Sequence, residues 1–122
     1  MFYDACSKGR TQKVKDVILN SNNNCHLFVN FQMDTHGNTP LIGACSNGHL
    51  EIANILIQSK ANIETPNLGG WTPLMSACYT GYLEIVNLLI QSSANIKATN
   101  KTDATPLYVS CQNGQKEIVE IL

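Results

Sequence analysis

Apolar and small residues recur along this chain in short helical phases separated by turn signals. Between Gly70 and Ile90 the phases are clearest: Thr72-Pro73, then Leu74, Ala77 and Cys78, then Gly81, then Ile85, Val86, Leu88, Leu89 and Ile90. Thr72 can cap a helix start, and Pro73 suits the first helical position, where no N–H is needed. Leu74, Ala77 and Cys78 fall on one helical face, with small residues where a neighbour must approach. Gly81 ends this first helix, because glycine takes the left-handed backbone of a helix C-terminus at little cost. The second helix is apolar on most sides. A hairpin of two such helices cannot bury both faces alone and needs copies of itself.

The copies are present. Thr39-Pro40-Leu41, Thr72-Pro73-Leu74 and Thr105-Pro106-Leu107 each lie 33 residues after the last. Gly48, Gly81 and Gly114 keep the same step, as do Cys45, Cys78 and Cys111, and Glu51-Ile52, Glu84-Ile85 and Glu117-Ile118. With this period, the order T-P-L, small pair, glycine, aliphatic helix resembles the ankyrin-repeat family over nearly the whole length. The resemblance implies an all-α solenoid of stacked helix-turn-helix units joined by hairpin-like loops. It divides one domain, 1–122, into repeats at about 1–33, 34–66, 67–99 and 100–122.

The outer repeats are irregular. In the first, Phe2 takes the leucine place, Ala5-Cys6 the small pair and Gly9 the stop, and Val14, Val17 and Ile18 form the second helical face. Val14 follows Gly9 by five residues where Ile52 follows Gly48 by four, which predicts a longer inter-helix turn. The asparagine-rich stretch from Asn20 is loop material, from which Leu27, Phe28, Val29 and Phe31 can fold back onto the stack. The last repeat reaches Leu122 within its second helix, which leaves Ile118, Val119, Ile121 and Leu122 without a following neighbour and predicts weak self-association there. Asp34-x-x-Gly37 resembles the family's turn, in which the carboxylate binds backbone N–H groups. Asn67 and Asn100 replace the acid in the next two repeats, and Asp103 replaces the turn glycine. The family motif continues T-P-L-H, yet that column holds Ile42, Met75 and Tyr108. Lys60 and Ser93 stand where the family places glycine after the second helix, which costs about 1 kcal/mol each if the backbone there is left-handed.

Composition narrows the function classes. The net charge is −1, with 14% charged residues and no basic run, so nothing advertises nucleic acid or an anionic membrane. No apolar stretch is long enough to span a membrane. The first residues lack the charged and apolar regions of a signal peptide, so a cytoplasmic setting is expected, with the nucleus also open. Cys6, Cys45, Cys78 and Cys111 share one repeat column, roughly 8–10 Å apart if helices pack as usual, beyond the ~7 Å reach of a disulfide. They read as buried free thiols, leaving Cys25 as the reactive one.

No catalytic constellation emerges. His49, in Gly-His-Leu-Glu, reads as a residue that helps start its helix; His36 lies at a turn tip far from the cysteine column; Cys25-His26 lacks the further ligands a zinc site needs. There is no phosphate-binding glycine loop, since Gly69-Gly70 is a turn doublet. No metal, cofactor or small-molecule substrate is expected. The chain reads instead as a non-enzymatic module that binds a protein partner on the concave face of the array. The alternative is a targeting or regulatory arm of a larger kinase- or ubiquitin-ligase-type enzyme whose catalytic part lies elsewhere. The resemblance places partner contacts at turn tips and on the exposed side of the first helices. Here these are His36, Asn38, Leu68, Trp71 and Lys101 on the tips, with Asn47, Tyr79 and Gln112 on the helices. Trp71 can equally serve by packing on the adjacent hairpin.

Overall fold

The computed structural model describes residues 2–21, 29–31 and 34–122. Cys25, His26, Leu27 and Phe28 lie outside the described residues. Eight helices stand among those described: α1 (Phe2–Ser7), α2 (Thr11–Leu19), α3 (Pro40–Ser46), α4 (Leu50–Gln58), α5 (Pro73–Thr80), α6 (Leu83–Gln91), α7 (Pro106–Gln112) and α8 (Lys116–Ile121). They pair as hairpins. The first helices α1, α3, α5 and α7 pack in one row, the second helices in another, and each helix also packs on its hairpin mate. The architecture is all-helical and layered, as the 33-residue period predicts.

The starts of α3, α5 and α7 are built alike. Thr39, Thr72 and Thr105 sit in extended backbone, and each hydroxyl accepts a hydrogen bond from the N–H three residues on, at 3.1–3.2 Å. Proline follows as the first helical residue in all three. Gly9, Gly48, Gly81 and Gly114, which follow these helices, all take positive φ. In every repeat the second helix begins two residues after its glycine. The first inter-helix turn is therefore no longer than the others. Val14 corresponds to Ala53 and Val86, both also fully buried, rather than to Ile52, and the extra residues of the first repeat fall between α2 and α3.

Between the rows lies one core. Leu41, Cys45, Ile52, Leu56, Leu74, Cys78, Ile85 and Leu89 are at most 1% exposed; burying each of the larger aliphatic side chains stabilises the stack by about 1.5–3 kcal/mol. Val29 joins this core, but Phe31 is 60% exposed and does not fold back.

The last repeat departs from expectation twice. Cys111 is exposed, unlike its column mates, because within these residues no further hairpin covers the outer side of α7. For the same reason Leu107 is 43% exposed, whereas Leu41 and Leu74 are buried. Conversely Ile118 points inward and is 2% exposed, and Leu122 packs against the core. Ile121, 41% exposed, is the aliphatic residue of α8 that faces out.

The turns that connect the hairpins are fixed by one polar side chain each. Asp34 Oδ1 accepts from the His36 and Asn38 amides at 3.0 and 2.8 Å. Asn67 Oδ1 does the same for Gly69 and Trp71, and Asn100 Oδ1 for Thr102 and Ala104. An amide oxygen thus replaces the carboxylate without loss of the turn. Lys60 (φ 70) and Ser93 (φ 69) are left-handed, so both non-glycine positions carry the expected strain.

Candidate functional site

Adjacent turn tips are tied by main-chain hydrogen bonds, Leu68 N–H to His36 O at 2.9 Å and Lys101 N–H to Gly69 O at 3.1 Å. The tips therefore form a continuous edge beside the row of first helices. From this edge Trp71 rises, half-buried, its backbone held by Asn67. Its indole meets the Tyr79 ring edge-to-face, with centroids 5.5 Å apart and planes at 86°, a geometry aromatic quadrupoles favour. Tyr79, in the last turn of α5, is 51% exposed. Its carbonyl accepts from Asn113 Nδ2 at 2.8 Å and Gln115 Nε2 at 3.4 Å, which fixes the end of α5 against the next repeat.

Trp71 separates two grooves. One, of about 440 Å³, is lined by Asn38, Ile42, Asn67, Trp71, Ser76 and Tyr79 among others. The second, of about 380 Å³, runs between Trp71, Asn100, Asp103, Tyr108, Val109 and Gln112. Among the described residues, the first contains no acid or base besides the Tyr79 phenol, and the second contains one carboxylate, Asp103.

Of the residues expected at a binding surface, Trp71, Tyr79 and Asn38 line the first groove, and Gln112 meets Trp71 across the second. The others lie elsewhere. His36, Leu68 and Lys101 are exposed along the tip edge, where Leu68 also lies over Gly37: a Cβ on that glycine would come within 2.9 Å of Leu68 Cγ. Asn47 turns back onto its own helix, its Nδ2 donating to Gly43 O at 2.8 Å. Sequence reading missed Ile42, Ser76, Asn67, Tyr108 and Asp103 as groove walls. Tyr108, 57% exposed, and Ile42 occupy the column after T-P-L, whose side chains point along this face.

That column also holds Tyr3, which carries a feature no motif announced. Its ring packs against Gly43, where a Cβ would come within 2.8 Å of Tyr3 Cε2. Its hydroxyl hydrogen-bonds the Asp34 carboxylate. Burial, then that hydrogen bond, then the carboxylate's charge push the phenol up to about 12. Burial alone would raise the Asp34 carboxyl, but bonds from Asn38, Tyr3 and the His36 amide together hold it below the usual carboxylate range. Asn38 Nδ2 donates to Asp34 Oδ2, and Asn67 Nδ2 donates to Asn38 Oδ1 at 2.9 Å, so a polar chain links three repeats to the first groove.

His49 does not cap its helix. Its Nε2 lies 3.0 Å from Ser7 O in the preceding repeat, and its ring occupies the space beside Gly9. The buried thiols are poor nucleophiles: burial pushes Cys6 up to about 12, raises Cys45 further, and lifts Cys78 to about 11 against a hydrogen bond with Ser110. Among the described residues no group of three or more His, Cys, Asp or Glu side chains could hold a metal ion, and no helix is long and apolar enough to cross a membrane.

Capped helical hairpins stepped by 33 residues, with a sparsely charged groove face and a tied edge of turn tips, define the kind of protein this is, and comparison with known families agrees. The family model for ankyrin repeats (3 copies) matches residues 2–100 and, again, residues 60–122. The chain belongs to the ankyrin-repeat family. This ankyrin array is also similar to the Notch-regulated ankyrin repeat-containing proteins of Homo sapiens and Mus musculus, 33% identical over 71 residues in each case. That match covers 58% of the chain and spans 60% of the length of those curated relatives. Ankyrin repeats generally mediate protein–protein interaction, and proteins built from them are typically non-enzymatic.

Proposed function

We propose that residues 1–122 act as one non-enzymatic domain that binds a protein partner on the concave face of the array, centred on Trp71. The observation that carries this reading is that Trp71 forms the shared wall of both grooves while its ring is braced by Tyr79. Interfaces concentrate their energy in a few such aromatic anchors, ringed by polar groups that exclude water. Asn38, Asn67, Ser76 and Gln112 supply the polar surround; His36, Leu68, Lys101 and Asn47 contribute at most the rim. Reduced, buried thiols at Cys6, Cys45 and Cys78 suit a cytoplasmic or nuclear setting. A targeting arm of a larger kinase- or ubiquitin-ligase-type enzyme would use the same face, and the full open reading frame separates that case. Weak self-association would use the outer side of α7 and α8, where Leu107, Cys111 and Ile121 are exposed.

The test compares wild type and Trp71→Ala as baits, followed by affinity and thermal-melt measurements on each recovered partner. Trp71→Ala should weaken a direct partner by about 2 kcal/mol or more while the variant stays folded at the assay temperature. Unchanged affinity in the folded variant removes Trp71 from the site.

A further inference from the structure

The turn of the last repeat differs chemically from those before it. Gly37 (φ 72) and Gly70 (φ 80) occupy the left-handed position of the two earlier turns; in the last, that position is Asp103, with φ 63. Among residues with a Cβ, aspartate and asparagine take this backbone more readily than most. Asp103 is exposed, and its carboxylate has neither a hydrogen-bond nor an ion-pair partner among the described residues. Lys101, on the same turn, does not pair with it. Backbone conformation does not single it out, since Lys60 and Ser93 are left-handed too; what sets Asp103 apart is an unpartnered carboxylate on a groove wall. Asp103 lines the second groove, and no other carboxylate does. The first groove, across Trp71, has no carboxylate or cation among the described residues.

We propose that the two grooves take an extended peptide segment bearing one apolar side chain and, three residues away, a lysine or arginine. The apolar side chain sits against Trp71 and Tyr79, above the buried Ile42, and the basic one faces Asp103. This rests on the concave-face reading above and specifies the partner's chemistry. The spacing follows from geometry. Neighbouring repeats step by one helix-packing distance, roughly 8–10 Å; a peptide in polyproline-II conformation advances ~3.1 Å per residue with about three residues per turn, so side chains three apart share one face and span one step. The intervening residues cross the Trp71 indole. The sign follows from charge complementarity: the surface has one negative group in one groove and none in the other, and a basic side chain is the complement that can register a peptide upon it.

The experiment selects a random dodecapeptide display library on the immobilised full chain. Affinities of the enriched peptides are then measured for wild type, Asp103→Asn and Trp71→Ala. Asparagine accepts left-handed backbone well, so Asp103→Asn removes the charge and keeps the turn. Enrichment of an apolar residue three positions from a lysine or arginine, in either order, is expected. Asp103→Asn should weaken these peptides about two- to fivefold, the range for a solvent-exposed pair, and have no effect once the basic residue is replaced by glutamine. Peptides lost on Trp71→Ala but indifferent to Asp103→Asn would overturn the charge pairing and leave the groove reading standing. Peptides indifferent to both would sink the Trp71 reading itself. Failure to enrich any sequence would overturn the extended-peptide proposal in favour of a folded partner surface.

Discussion

Relieving the two strained helix ends is a direct test of how this array is built. Lys60 and Ser93 follow α4 and α6 in left-handed backbone and are both exposed. The local hydrogen bonds belong to the main chain: Ala61 N–H to Leu56 O and Ala94 N–H to Leu89 O, at 2.9 and 3.0 Å. Among the described residues, no hydrogen bond or ion pair of either side chain would be lost in Lys60→Gly or Ser93→Gly. Left-handed backbone costs a residue with a Cβ roughly 1–2 kcal/mol, while glycine gives back about 0.4–1 kcal/mol by loosening the unfolded chain. The net gain is about 0.5–1 kcal/mol per site, and about 1–2 kcal/mol for the pair, since sites a full repeat apart should add. Unfolding entropy of about 2.1 cal/mol/K per residue gives about 0.26 kcal/mol/K for 122 residues. The double variant should therefore melt about 4–8 °C higher by circular dichroism, with each single variant near half of that. A melting temperature that is unchanged or lower in both single variants would refute the strain account and mean that these helix ends are held by something other than backbone conformation.

Four further outcomes follow from particular contacts. Tyr3→Phe should destabilise by about 1 kcal/mol and remove from a 295 nm titration a phenol that burial and Asp34 push up to about 12. The folded Tyr3 value lies above the ordinary one, so its contribution is complete below pH ~10 and lost as pH climbs toward about 12; Asp34 is depressed in the fold, so its contribution is present above the ordinary carboxylate range and fades as pH falls through the folded value. In native protein at pH 8, a disulfide reagent should modify Cys111 and spare Cys6, Cys45 and Cys78 until unfolding, and rapid modification of Cys45 would contradict the packing. Ile118→Asp should cost at least about 3 kcal/mol, whereas Ile121→Glu should leave the melt within about 0.5 kcal/mol and reduce any association seen by sedimentation. His49→Ala should cost about 1–2 kcal/mol through the bond to Ser7 and the ring beside Gly9, and an unaltered melt would show that this contact is idle.

Much of the fold was legible because each signal is local. A threonine cap, a proline after it and a glycine stop act within one turn of helix, and three spaced copies of each make the hairpins unmistakable. Features that depend on a neighbour were harder to read. Cys111 shares its column with Cys45 and Cys78, but burial there is supplied by the following hairpin rather than by the residue. Ile118 was misjudged by treating the last helix as having one undivided apolar surface, when Ile118 and Ile121 face opposite ways. Trp71 and Tyr79 were legible as surface residues because both are aromatic and both fall in exposed columns; Asp103 shows in the sequence only as a replacement for the turn glycine. The Tyr3–Asp34–Asn38–Asn67 chain crosses three repeats and has no periodic counterpart, since the next two repeats place Ile42 and Met75 where Tyr3 stands and Tyr108, which does share the column, stays 57% exposed. Periodicity cannot reveal a contact that occurs once.

The seams between hairpins bear on how four look-alike units find their proper neighbours. At each seam the residue after one helix-stop glycine leans on the glycine of the preceding unit: His49 beside Gly9, Tyr82 beside Gly48, Gln115 beside Gly81. The geometry is shared, yet an imidazole, a phenol ring and an amide occupy it in turn. His49 and Gln115 also reach a carbonyl of the preceding unit, on Ser7 and Tyr79 respectively, whereas among the described residues no such bond joins Tyr82 to its neighbour. Two hairpins docked out of order, or borrowed from another copy of the chain, would meet with the wrong ring or an unused donor at the seam. Chemical variety at one repeated position thus gives each hairpin an address, and a shuffled array with its seams made uniform should lose that sorting before it loses its helices.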